Sequence, residues 1–195
     1  MIDDVTVAKW HEVWHYILIY VRSLFREVPD WLLIILAIIL VVGMLIVFPL
    51  KSVRNKCESI GLIAFVEYAV LLFFFTVFQR PVHGFPSFNF FPFWSYQAFL
   101  DGQNSVMAEK IMNLAAFIPV GALTGMSFRN LKWYHAMLFA MLLSMTIEGM
   151  QFVFRRGFVE VDDVIHNALG AALGYGFYSL FVRIWRMIVG FRIRR

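Results

Sequence analysis

From Trp31 to Leu50 the chain runs twenty residues without a charged side chain. At a rise of about 1.5 Å per residue, a helix of that length reaches about 30 Å, the thickness of a bilayer's hydrocarbon core. Backbone groups find no water there, so the segment must satisfy its own hydrogen bonds, as a helix does. Four more apolar stretches carry only a few charges each: residues 59–78, 108–128, 134–154 and 163–184. The sequence therefore predicts an all-α membrane protein with five transmembrane helices. A chain that is 61% hydrophobic and only 15% charged leaves no room for a separate soluble domain, since soluble domains run near a quarter charged.

Residues 1–28 do not read as a span. Trp10, Val13, Trp14, Ile17, Leu18, Val21, Leu24 and Phe25 follow the spacing of one helical face. Lys9, Glu12, His15, Arg22 and Arg26 lie between them, and charges are costly in hydrocarbon. This pattern predicts an N-terminal amphipathic helix lying in the membrane interface. Pro29 ends it, and Asp30 is placed to cap the next helix. The acidic opening Met1 to Asp4 predicts no cleavable signal. The chain then divides into the interfacial helix (1–28), a first transmembrane helix with a basic loop (29–58), a four-helix transmembrane core (59–186) and a basic tail (187–195).

An odd number of spans puts the two termini on opposite sides. Ten Lys and Arg fall on the side of residues 51–58, 129–132 and the C-terminal tail, against seven on the other. The positive-inside rule then places the C-terminus in the cytoplasm, with residues 81–108 and 155–162 outside. Residues 81–108 form a long loop rich in aromatics, punctuated by Pro81, Gly84, Pro86 and Pro92. It is too apolar for a soluble loop and is expected to fold back onto the bundle or the headgroup layer. The formal charge of +4 owes much to Arg183, Arg186, Arg192, Arg194 and Arg195, which suit anionic lipid. No basic face exists elsewhere, which excludes nucleic-acid binding. Cys57 is the only cysteine, which excludes an intrachain disulfide and a Cys-based metal site.

Connectivity alone gathers the unusual polar residues at one membrane face. The end of span two, the start of span three, the end of span four and the start of span five all lie there. They supply Arg80, Asn113, Glu148, Gln151, Arg155, Arg156, Glu160, Asp162, Asp163, His166 and Asn167. Ser144, Glu148, Gln151 and Arg155 line one stripe of their helix. Glu148, inside an apolar span, must be paired or solvated, and Arg80, Arg155 and Arg156 are the cations at hand. Two readings stay open: a buried network that fixes helix register, or a polar cavity that binds a headgroup. Glu67, in the middle of span two, reads as structural. His166 beside Asp162 and Asp163 lacks the spacing of a metal motif, so no metal site or cofactor is expected. Gly170 and Gly174 form a GxxxG that admits a close helix neighbour.

The same residues resemble the VanZ-like family. Glu148-x-x-Gln151, the acidic loop Glu160-x-Asp162-Asp163 and Asn167-x-x-Gly170 are similar to its motifs. So are Asn113-x-x-x-Phe117-x-Pro119-x-Gly121, Asn89-x-x-Pro92-Phe93 and the ending Thr76 to Arg80. Glu160 stands where an Asp is common, which keeps the charge on a longer arm. The resemblance covers roughly residues 60–180. It implies a bacterial cell-membrane protein, the family being named for a member that confers low-level resistance to teicoplanin, a lipoglycopeptide.

Two functional readings follow. In the first, the protein is not an enzyme. An outward pocket of Arg80, Asn113, Glu148, Gln151, Arg156, Asp163 and Asn167 engages membrane lipid, a lipid-linked cell-wall precursor or a lipoglycopeptide. Antibiotic susceptibility or envelope homeostasis changes as a result. In the second, a membrane enzyme acts on a lipid or lipid-linked cell-wall intermediate, with Glu148 or Asp163 as acid or base. No Ser-His-Asp order, HExxH or Walker loop accompanies the second reading. A protein partner or a homo-oligomer is open in both.

Overall fold

The computed structural model describes residues 4–24, 28–50, 53–82, 87–128 and 130–193. Arg26, Lys51, Gly84, Pro86, Arg129, Arg194 and Arg195, which entered the charge and loop readings, lie outside the described residues. The helices in chain order are α1 (Asp4–Leu24), α2 (Asp30–Val47), α3 (Val53–Phe73), α4 (Trp94–Leu100), α5 (Asn104–Ser127), α6 (Trp133–Phe154) and α7 (Val161–Ile193). A π turn, Phe74–Phe78, extends α3. Two three-residue strands, β1 (Ser87–Asn89) and β2 (Phe158–Glu160), complete the chain.

The fold is all-α, and four of its helical stretches are long and apolar enough to cross a membrane: Asp30–Val47, Asn55–Phe78, Asn104–Ser127 and Trp133–Phe154. The outer faces of these helices are apolar. Leu33, Ile34, Ile46 and Leu142 are all more than half exposed, a surface that suits lipid.

α5 is the centre of the bundle. Phe117 and Val120 are buried with Leu72 of α3, Val77 of the π turn, Ala140 and Ile147 of α6 and Ala171 of α7. Its tightest neighbour is α7, because glycines remove the side chains between them. A Cβ added at Gly121 would overlap the backbone of Ala171, and one at Gly170 or Gly174 would overlap the carbonyl of Leu114 or Ile118. Backbones in such contact gain packing that no larger residue permits. Pro119 sits inside α5 without ending it.

α1 packs on the first half of α5. Its Val13 and Ile17 are buried with Met107 and Ala108, Asn104 Nδ2 donates to Glu12 Oε2 at 2.6 Å, and Lys9 Nζ donates to the Leu100 carbonyl at 2.8 Å. Val13 and Ile17 belong to the apolar stripe expected from the sequence, but that stripe is partly spent on α5, while Trp14 and Leu18 stay exposed.

Two local expectations need correction. Asp30 is not the cap of α2: Pro29 holds that position, Asp30 lies in the first turn, and no side-chain bond caps the helix. Proline fits there because the helix start has no use for its missing N–H. Residues 81–108 are not a plain loop. They contain β1, α4 and the first turn of α5, which begins at Asn104. β1 pairs in parallel with β2, Ser87 opposite Phe158, Phe88 opposite Val159 and Asn89 opposite Glu160. That pairing ties the segment to the α6–α7 connection, where Arg155 and Gly157 take left-handed backbone angles, φ 54° and 77°. A Cβ at Gly157 would meet the Arg80 side chain.

Replacing Gly121 or Gly174 by Val is expected to cost about 3 kcal/mol or more, because backbone on the facing helix cannot give way. Gly149→Ala and Gly176→Ala meet nothing within 4 Å and are expected to be neutral or to stabilise by up to about 1 kcal/mol. Unfolding of the purified protein in detergent measures both.

Candidate functional site

Lys110, in the second turn of α5, is 1% exposed. Its Nζ donates to Glu160, at the end of β2, and to Asp163, in the first turn of α7. Arg80, just past the π turn, pairs with Glu109 at 2.6 Å and approaches Asp163 at 4.0 Å. Asp163 thus bridges two cations. Glu148 accepts the backbone N–H of Glu160 at 3.1 Å, and Asn167 Nδ2 donates to Ser144 Oγ at 2.8 Å. Two cations, Arg80 and Lys110, therefore face four carboxylates, Glu109, Glu148, Glu160 and Asp163. Burial pushes the Glu160 carboxyl up from its ordinary range, with Lys110 opposing. Burial also works against the Arg80 guanidinium, but Glu109 and Asp163 outweigh it and raise its pKa.

Other polar groups finish helix ends. Gln151 Nε2 donates to the Thr76 carbonyl at 2.8 Å, inside the π turn. Arg156 Nη1 donates to the Phe78 and Arg80 carbonyls. These are backbone acceptors that a helix end leaves without intrahelical partners. Asp162 serves the start of α4 in the same way, accepting from Phe93 N–H, from Ser95 N–H at 3.1 Å and from Ser95 Oγ at 2.6 Å. A carboxylate there also complements the helix dipole. His166 Nδ1 lies 2.6 Å from the Asp162 carbonyl, and its Nε2 lies 3.0 Å from the Tyr96 hydroxyl. A carbonyl only accepts, so Nδ1 carries the hydrogen of that bond.

Beside this network opens a cavity of about 1300 Å³, between α1, the start of α2, α3 and α5. Tyr20, Thr76, Arg80, Glu109 and Asn113 line its polar part, and Leu71, Leu72, Phe75, Met112 and Ala116 line its apolar part. Along α5 the lining runs from Glu109 to Ala116, about 10 Å at the helical rise. The cavity is polar near the charged network and apolar further along the helix, a shape and chemistry that fit an amphiphile.

Of the residues singled out from the sequence, Arg80 and Asn113 line the cavity. Glu148, Gln151, Asp163 and Asn167 are buried in the network next to it, and Arg156 caps the end of α3. Arg155 is exposed. Sequence reasoning missed Glu109 and Lys110 as site residues, because the span was started at Ala108 and Lys110 entered only the charge count. For Glu109 the signal was spacing: Glu109, Asn113 and Ala116 stand on one helical face.

Lys110→Met is expected to destabilise the protein by about 3–5 kcal/mol, since buried Glu160 loses its cation and Asp163 keeps only Arg80, 4.0 Å away. Adding Glu160→Gln and Asp163→Asn to it is expected to recover most of the loss. Unfolding in detergent compares the two variants.

The VanZ/LLP1 family model matches residues 65–182, well over half of the chain. A curated relative, Protein VanZ of Enterococcus faecium, is 38% identical over 72 residues. That match covers 37% of this chain and 45% of the relative, so the chain aligns with less than half of the relative's length. No solved structure matches. The matched residues hold the Asn113–Gly121, Glu148–Gln151 and Glu160–Gly170 motifs together with Lys110, and the chain belongs to the VanZ-like family.

Proposed function

We propose that this protein lowers susceptibility to lipoglycopeptide antibiotics of the teicoplanin type, or adjusts envelope lipid and cell-wall precursors, by receiving an amphiphile in the cavity beside Arg80. The observation that carries this reading is the cavity's division into an ionic part and an apolar part within one space. A headgroup meets Arg80, Glu109 and Asn113 there, and an acyl chain meets Leu71, Phe75 and Met112. Teicoplanin carries an acyl chain that vancomycin lacks, and a bilayer-embedded cavity discriminates through that chain.

The membrane arrangement belongs to the same proposal. α7, 33 residues long, is the fifth span, and α1 rests in the outer interface against α5. Lys and Arg counts then put the C-terminus in the cytoplasm and the cavity's polar end at the outer leaflet of the bacterial cell membrane. The bonding of Glu148 and Asp163 supports a binder over an acid–base catalyst. Asp163 is engaged by Lys110 and Arg80, Glu148 holds the Glu160 N–H, and both are buried.

Ala116→Trp places a large ring in the apolar part of the cavity without touching the ion pairs. In a strain whose teicoplanin resistance depends on this protein, the variant is expected to restore the susceptibility of cells lacking it, at an unchanged membrane level of protein. Full protection by Ala116→Trp overturns the proposal.

A further inference from the structure

β1, β2 and the start of α4 enclose a second hollow of about 680 Å³, which shares only Glu109 with the cavity above. The rings of Phe88, Phe91, Trp94 and Phe158 line it with two carboxylates, Glu109 and Glu160. Among the described residues, no Lys or Arg lines it. The parallel pairing of β1 with β2 brings Phe88 and Phe158 to adjacent strands. Asn89 Oδ1 accepts the Phe91 N–H at 3.0 Å and fixes the turn that presents Phe91, which is 78% exposed.

The chemistry of this lining is selective for one kind of group. Aromatic faces carry negative charge density and attract a cation placed over them. Four carboxylates, Glu109, Glu148, Glu160 and Asp163, stand in or behind this lining against the two cations Arg80 and Lys110, so acidic groups outnumber basic ones in this corner. The Trp94 ring has an ammonium within cation–π reach from outside the hollow, Lys110 Nζ at 5.9 Å from its centroid. Trp94, one of the lining rings, also carries a buried Nε1 donor with no acceptor among the described residues.

We infer that this hollow recognises an alkylammonium group, the cationic end of a zwitterionic or amine-bearing headgroup. Lipid and soluble amine share that chemistry, and the test separates them.

The full chain in phosphatidylglycerol nanodiscs is titrated calorimetrically with tetramethylammonium and with phosphocholine. Saturable binding is expected for both, weakened roughly tenfold when Phe91→Leu and Phe158→Leu remove two rings. Both residues are largely exposed, and circular dichroism confirms that the variant keeps its helices. Competition by phosphatidylethanolamine in the nanodisc assigns the site to a lipid headgroup, and its absence assigns it to a soluble amine. No saturable binding, or equal binding by the Leu variant, overturns the inference. The outcome is independent of the cavity reading, since Ala116→Trp is expected to abolish protection from teicoplanin without moving tetramethylammonium binding.

Discussion

The structure depends on one buried cation. Lys110 is held between Glu160 and Asp163, and through them α5 is joined to β2 and to the first turn of α7. Taking three ionised groups out of water is expensive, and the attraction between them repays that cost only when the geometry holds all of them at once. The arrangement therefore does more to select a single packing than to add net stability. Any slip of α7 along α5 separates Lys110 from Asp163. The glycines at 121, 170 and 174 act against the same slip, since close backbone contact exists only in one register.

Around that fixed pair the other polar residues fall into two groups. Gln151, Arg156 and Asp162 spend their bonds on helix ends: the two turns that close α3 and the first turn of α4. Arg80, Glu109 and Asn113 instead border open space. The protein thus places a hydrogen-bonded layer next to a cavity, and the layer sets the position of the groups that face it. Glu109 is where the two hollows meet, so occupation of either changes the surroundings of the same carboxylate.

Much of this was legible in the sequence, and what was not has physical reasons. The stripe Ser144, Glu148, Gln151 follows from helical spacing, and the Gly170–Gly174 contact follows from residue size. The gathering of span ends at one face follows from connectivity. Lys110 was not legible as the centre, because a charge near a span end reads equally as a loop residue until the helix start is known. The Asp162 bonds to Phe93 and Ser95 join residues nearly seventy positions apart, and no local pattern encodes them. The β1–β2 pairing is equally hidden: three residues per strand give too short an alternation to read. α1 showed its apolar face, but not that part of this face was destined for α5.

The π turn at Phe74–Phe78 has a consequence of its own. A helix advances about 100° in azimuth for each residue, and a wide turn accommodates one residue more than a regular turn does. Whatever follows it is rotated relative to the helix before it. In this chain Thr76 turns its carbonyl toward Gln151, and Arg80 arrives on the side where Glu109 stands. The extra residue works as an indexing step: shorten the segment by one and the guanidinium points elsewhere, with the rest of α3 unmoved. Heading, as distinct from depth, is what this insertion encodes.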